Sequence, residues 1–341
     1  MSMNIIYKKI PILFSLRKSV RFYRGQYIRL KKRTKELEEM YYTNNTVESN
    51  VFDKKRRKCI VMIDGRFPHG GLTDRLRGCL SIFSFCKDCN IPFFINFVYP
   101  FNLIEYLVPN KYDWTIKPED ISYDRKLSQP LVLDCFDAIG ESIYDKYLLK
   151  KKMNNSMLDI HIYSNAHFCS NHYAKLFNEL FKPSQELQSL IDFHINAIGS
   201  KYVSATFRFQ QLLGDFKEGD PNIYHILDDI SKKQLIERCI DELLSSLKKL
   251  PLSYKMLVTS DSITFLEKVA KIERVYVVPG KVAHMNYTAS DNKIFMKSFV
   301  DLFLLMNAET IMLYQTGEMY NSGFPRFAAR LSKHKFIHHK F

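Results

Sequence analysis

The sequence has no apolar run that could cross a bilayer. The longest near its start, residues 10–16 (Ile-Pro-Ile-Leu-Phe-Ser-Leu), falls far short of the ~20 residues a spanning helix needs. Arg17-Lys18 follows without a small-residue cleavage site, which argues against a secretory signal. There is no disulfide framework either: the 7 cysteines are odd in number and scattered, the usage of a reducing compartment. Cys86-Lys-Asp-Cys89 has no second Cys/His pair at matching spacing, so no zinc site is expected. Cys79, Cys86 and Cys89 fall in an apolar helical pattern and read as small core residues. With 12 Gly and 12 Pro in 341 residues, neither disorder nor a fibre is indicated. No repeat or low-complexity segment interrupts the chain, and a cytoplasmic location is expected.

What is present is a large core. An apolar fraction of 46% and a charged fraction of 25% are those of a globular protein, and the length favours two packed domains with a cleft between them. The formal charge of +14 is unevenly spread: residues 1–58 hold 16 Lys+Arg against 5 Asp+Glu, and the rest of the chain 34 against 31. A nucleic-acid enzyme needs a basic groove on its folded body. The folded body is almost neutral, so nucleic acid is not the expected partner. Residues 1–58 mix Phe14, Phe22, Tyr23, Tyr27, Ile28 and Leu30 with cations. That mixture suits either a helix on an anionic membrane surface, making the protein peripheral there, or a solvated partner-binding tail. Asn44-Asn45 and the run 54–58 (Lys-Lys-Arg-Arg-Lys) read as a linker, with the enzyme proper starting near Cys59.

From there short apolar strands alternate with amphipathic helices, the pattern of an α/β fold with mainly parallel sheets. Strands are predicted at 59–64, 91–97, 131–136 and 158–163, with helices at 73–89 and 142–151. Helices at 171–181 and 184–198 carry the chain to a second unit, and the boundary falls near Gly199. The second unit, 200–341, reads as strands 202–209, 255–259, 274–278 and 310–314 with helices 232–247, 263–272, 297–308 and 325–332, ending in an extended stretch 336–339. In such sheets ligands bind at the carboxyl ends of the strands.

Four segments carry candidate chemistry. The loop Asp64-Gly-Arg-Phe-Pro-His69-Gly70-Gly71-Leu-Thr-Asp74 leads from the first strand into a helix. Its glycines let backbone amides approach a ligand, and the helix start favours an anion; the spacing is neither a dinucleotide fingerprint nor a P-loop, and a plain tight turn is the alternative. Arg208 ends a core strand, where a guanidinium needs a carboxylate or a phosphate; a pyrophosphate suits its planar donor fork. Ser260 and Asp261 stand at a strand end, either capping the next helix or binding the base or ribose of a nucleotide. Ser322-Gly323-Phe324-Pro325 precedes a last helix whose first amides are available to a phosphate.

Taken together and in order, these segments resemble the GT-B fucosyltransferase superfamily, which includes the bacterial nodulation and α1,2-fucosyltransferases and the protein O-fucosyltransferases. Gly70-Gly71-Leu72-Thr73-Asp74-Arg75-Leu76-Arg77-Gly78 is similar to the family's first loop, Thr206-Phe207-Arg208 to its His-x-Arg motif, Ser260-Asp261 to its Ser-Asp strand end, and Ser322-Gly323-Phe324-Pro325-Arg326-Phe327-Ala328 to its Ser-Gly-Phe-Ser-Arg-x-Ala segment. Thr206 stands where the family usually has His, and Phe209-Gln-Gln-Leu-Leu213 separates the Arg from Gly214-Asp215-Phe216. The resemblance covers residues 59–341 and implies two Rossmann-like domains facing across a cleft, 59–199 for the acceptor and 200–341 for the nucleotide sugar. It implies inverting transfer of L-fucose from GDP-fucose to a glycan or lipid-linked glycan hydroxyl in polysaccharide or glycoconjugate assembly, with no cofactor and no required metal. Arg208 and the amides near Ser322, Gly323 and Phe324 would stabilise the leaving diphosphate, and Gly70, Gly71, Ser260 and Asp261 would complete the donor site. The base is expected among Asp215, which leads because it follows Arg208 on one loop, and Asp64, His69, Asp74 and Glu218. Another nucleotide-sugar donor, or a non-catalytic glycan-binding protein on the same fold, is the competing reading.

Overall fold

In the computed structural model of the protein, the described residues are 25, 28–42, 57–133, 143–154, 157–216, 225–282, 285 and 292–341. They divide into two compact units. Residues up to 69, 77–96 and 114–169 form the first; 70–76, 97–113 and 170–341 form the second. The two helices preceding Gly199 therefore count with the second unit.

The first unit holds a helix α1 (28–42), strand β1 (Cys59–Ile63), helix α2 (Leu72–Asp88, from residue 77 onward), β2 (Phe93–Phe97), β3 (Ser128–Leu133), α3 (Ile143–Asn154) and β4 (Asp159–Ser164). The sheet order is β2-β1-β4-β3, with β1, β4 and β3 parallel. Cys59-Ile-Val-Met-Ile63 is buried along its whole length, as a strand covered on both faces must be. Ile60, Met62, Val132 and Tyr163 pack against Leu30, Leu37 and Tyr41 of α1, each such burial being worth roughly 1.5–3 kcal/mol. Thr34 Oγ1 accepts the Val132 amide at 3.2 Å and Tyr42 donates to Ser128 O at 3.0 Å, so α1 also satisfies the edge strand β3, where Pro130 is tolerated because it lies at the sheet's margin. This corrects the expectation that everything before residue 59 is an appendage: α1 is part of the core. Cys79 and Cys86 are buried as expected, whereas Cys89 is exposed.

In the second unit come α4 (Tyr173–Leu180), α5 (Gln185–Ile198), β5 (Tyr202–Phe207), α6 (Asp229–Lys248), β6 (Lys255–Ser260), α7 (Ile263–Val269), β7 (Val275–Tyr276), α8 (Met296–Asn307), β8 (Thr310–Gln315), α9 (Phe324–Ser332) and β9 (Lys335–Lys340). Its main sheet has five parallel strands in the order β9-β8-β5-β6-β7. Val203, Ala205, Phe207, Met256, Val258 and Tyr314 face α6 and α7. The alternate residues face the other way, where the Tyr202 hydroxyl donates to Leu304 O of α8 at 2.7 Å and α8 packs on α5 and α9. A short antiparallel pair, Leu107–Pro109 with Phe181–Pro183, lies in the same unit; the sequence pattern ends a helix at Phe181, the first residue of the second strand.

The strand order has a consequence for function. From β5 the chain winds outward through β6 to β7, then returns to lay β8 and β9 on the opposite side of β5. The direction of winding reverses between β5 and β8, and a doubly wound sheet binds ligands in the crevice outside the strand ends at that reversal.

Candidate functional site

Arg208 is the residue immediately after β5, on one side of the reversal. Because Phe207 pairs with Ser260, Asp261 emerges from β6 beside it, and Arg208 Nε lies 3.3 Å from Asp261 Oδ2. The Asp261 carboxylate is fully buried and also accepts the amides of Phe209 at 2.9 Å and Gln210 at 2.6 Å. Burial pushes its carboxyl above the ordinary carboxylate value, and Arg208 with the two amides opposes that rise. Gln210 has φ of 52°, a left-handed conformation uncommon for a side-chain-bearing residue, and the bond from its amide to Asp261 holds it there. Phe216 closes the other side, its ring centroid 4.6 Å from the Arg208 guanidinium carbon. The guanidinium is thus clamped between a carboxylate and an aromatic face, with its side chain still 19% exposed. Asp261, expected as a nucleotide contact, is occupied in positioning Arg208 and its turn.

The neighbouring polar residues build the start of α7. Ser262 is its N-cap, accepting the Phe265 amide at 3.1 Å, and Ser260 Oγ accepts the Ser262 amide at 3.1 Å. Asp215 Oδ2 takes the Ser262 hydroxyl at 2.7 Å and the Thr264 amide at 2.9 Å. A carboxylate at that place complements the helix dipole. These bonds make Asp215 a brace between the Arg208 loop and α7. Thr206, in the position of the family's His, shares a hydroxyl hydrogen bond with Thr259 at 2.8 Å.

Across the reversal, the segment after β8 turns back through Met319, whose amide donates to Thr316 O at 3.1 Å, and Tyr320, whose amide donates to Arg208 O at 3.0 Å. Ser322 is buried, and its hydroxyl oxygen accepts the Phe324 amide at 3.3 Å, which leaves the hydroxyl hydrogen to donate. Gly323 precedes α9 and Pro325 lies in the first turn, where its missing N–H costs nothing. A Cβ on Gly323 would meet nothing within 4 Å, so the start of α9 has open space before it. Arg326 lies instead along the helix surface, 4.8 Å over Phe336 and 3.3 Å from Asn321 Oδ1.

The first-loop candidates fall in both units. In the first, Asp64 accepts the Arg66 amide and guanidinium, each at 3.2 Å, and the Tyr163 hydroxyl at 3.0 Å. His69 is buried and stacks on Tyr163 at 5.9 Å. In the second, Asp74 Oδ2 accepts the Gly71 amide at 3.2 Å; Gly70 has φ of 77°, and a Cβ there would come 2.7 Å from the same oxygen. Glu218 lies outside the described residues. Sequence reasoning has Arg75 only as a letter of the first-loop motif, with no role; it is buried and donates to Gly70 O at 3.0 Å, Tyr99 O at 2.9 Å and Met285 O at 3.0 Å, and a helix start that also holds Asp74 and Arg77 gave no signal to single it out. Among the described residues no group of three or more His, Cys, Asp or Glu could hold a metal ion, and no helix is long and apolar enough to cross a membrane.

No protein-family model and no curated protein matches the sequence. Among solved structures, the chain is similar to NodZ alpha-1,6-fucosyltransferase soaked with GDP-fucose, at 16% identity and a TM-score of 0.51, over 81% of this chain and 93% of that one. Fucosyltransferase NodZ from Bradyrhizobium gives 15% identity and a TM-score of 0.51 over 80% and 92% of the two chains. A mutant of Arabidopsis thaliana FUT1 in complex with GDP gives 13% identity and a TM-score of 0.52 over 94% and 78%. The chain has the GT-B fold of these fucosyltransferases, as the sequence motifs imply.

Proposed function

We propose that the protein is a glycosyltransferase that moves L-fucose from GDP-fucose to a glycan hydroxyl with inversion and without a required metal. The observation that carries the proposal is the pairing, at the reversal between β5 and β8, of a clamped Arg208 with the open start of α9, in a fold shared with fucosyltransferases crystallised with GDP or GDP-fucose. Both groups favour an anion with the geometry of a diphosphate.

In the proposed reaction the acceptor oxygen attacks the anomeric carbon as the bond from that carbon to the phosphate oxygen breaks. The nucleoside diphosphate leaves with the bonding electron pair, and Arg208, the Ser322 hydroxyl and the α9 amides receive its developing charge. The acceptor proton passes to a carboxylate or imidazole, the base being proposed among Asp215, Asp64, His69, Asp74 and Glu218. A glycan or lipid-linked glycan acceptor in polysaccharide or glycoconjugate assembly, and attachment to an anionic membrane surface, belong to the same proposal.

A thermal-shift screen against GDP, UDP, ADP, CMP and GDP-fucose tests it, because a ligand that binds only the folded state raises stability by mass action. The expected result is selective stabilisation by GDP and GDP-fucose, with release of GDP when a glycan acceptor is added. Selectivity for another nucleotide would replace fucose with another donor; stabilisation by none would contradict the enzyme reading.

A further inference from the structure

One buried group at the reversal has no role in the reaction just described. Thr316 follows β8 directly and is 4% exposed, and its hydroxyl has no hydrogen-bond partner although its carbonyl is bonded to the Met319 amide. Burying a hydroxyl unsatisfied is unfavourable, and native interiors rarely contain one without a reason. Valine has the same shape and would remove the penalty, so packing alone does not account for the hydroxyl.

Its place supplies the reason. Tyr314 pairs with Phe207, so Thr316 and Arg208 leave neighbouring strands within two residues of the last paired position. The turn that begins at Thr316 is bonded to Arg208 O through Tyr320 and leads into Ser322 and α9. Ser204 makes the contrast: its hydroxyl is also buried without a partner, but it lies inside β5, paired with Ile311 and Leu257, away from the strand ends where a ligand enters. Of the two, only Thr316 stands at the strand ends, in the segment that joins β8 to the start of α9 and is bonded to Arg208 O through Tyr320.

We propose that Thr316 Oγ1 donates a hydrogen bond to a phosphate oxygen of the bound nucleoside diphosphate, so that the ligand supplies the partner missing from the free protein. This rests on the nucleotide-sugar reading and adds a binding residue to it. The contact is made to the part of the donor that becomes the leaving group.

The test compares wild type, Thr316→Val and Thr316→Ser by calorimetry with GDP and with guanosine, and by thermal melting without ligand. Thr316→Val is expected to melt at or above the wild-type temperature, to bind GDP about tenfold more weakly, and to bind guanosine as wild type does; Thr316→Ser restores GDP affinity. Wild-type GDP affinity in Thr316→Val, or an equal loss for guanosine, overturns the assignment. A wild-type protein that binds neither GDP nor, in the same experiment, UDP or ADP overturns the nucleotide-sugar reading itself, and is distinguished by appearing before any substitution is made.

Discussion

Arg208 Nε sits 3.3 Å from the buried carboxylate of Asp261, which at the same time holds the amides of Phe209 and Gln210. One carboxylate thus fixes both the cation and the backbone turn that presents it. Pre-organisation of this kind makes charge stabilisation effective in a transition state, because no reorganisation is needed as charge develops.

Removing the cation should therefore cost turnover and leave the fold intact. Arg208→Ala is expected to lower kcat by on the order of 10²–10³ with an unchanged far-UV spectrum, and Arg208→Lys should not rescue it, because an ammonium lacks the planar fork. Asp261→Asn should act through the same group. The double variant is then expected to be no worse than Arg208→Ala alone, as coupled residues are non-additive; additive losses would separate the two residues.

Gly323 offers a cleaner probe of the ligand's place. Its φ of −76° suits any residue and its Cβ position is empty, so Gly323→Ala should change stability by no more than about 0.5 kcal/mol. If a diphosphate occupies that space, the same methyl group should weaken GDP binding at least several-fold in calorimetry. Unchanged affinity would move the ligand elsewhere.

The first unit makes an acid-stability prediction. His161, fully buried between Tyr41 and Tyr123, has its pKa lowered by burial from the ordinary 6.5 to about 3. Between those values the unfolded chain binds a proton that the folded chain does not. Stability is therefore intact above pH 6.5 and falls as the pH drops, by up to about 1.4 kcal/mol per pH unit from this group. Urea unfolding at pH 7, 5.5 and 4.5 should show a shallower loss in His161→Leu than in wild type; parallel losses would contradict the assignment.

Truncation should separate the two parts of the basic N-terminal region. Deleting residues 1–24, which carry six Lys and Arg and no Asp or Glu, is expected to weaken binding to anionic vesicles. Deleting residues 1–42 also removes Leu30, Leu37 and Tyr41 from the core, and should lower the melting temperature by many degrees or prevent folding.

The parts of the fold legible in the sequence are those set by local pattern. The run 59–63 is apolar and largely β-branched and is followed by a glycine loop, and the strand is where the pattern puts it. Gly78 was legible only as a motif letter; the structure gives its reason, because a Cβ there would lie 2.2 Å from Ser164 O. The helix α1 was obscured by its own charge: Lys and Arg surround Leu30, Leu37 and Tyr41, although their spacing of seven and then four residues is that of one helix face.

At the site, the strand-end positions of Arg208 and of Ser322-Gly323 could be read, since an Arg after a core strand and a Gly-x-Pro helix start are local signals. The partner of Arg208 could not, because it depends on the register of β5 with β6, fixed by pairing across 53 residues between Arg208 and Asp261. Asp215 was read as a base from its proximity to Arg208 in sequence, whereas its bonds run to the start of α7. Thr316 carries no pattern at all; only its burial without a partner draws notice.

The central claim is that the β5–β8 reversal of the second unit binds a nucleotide sugar through its diphosphate. Calorimetric titration of GDP-fucose into wild type and Arg208→Ala tests it most directly. The account predicts saturable binding to wild type and affinity at least tenfold weaker in Arg208→Ala, with the two proteins melting at the same temperature when free. Equal affinity in both, or no binding to a folded wild-type protein, would contradict it.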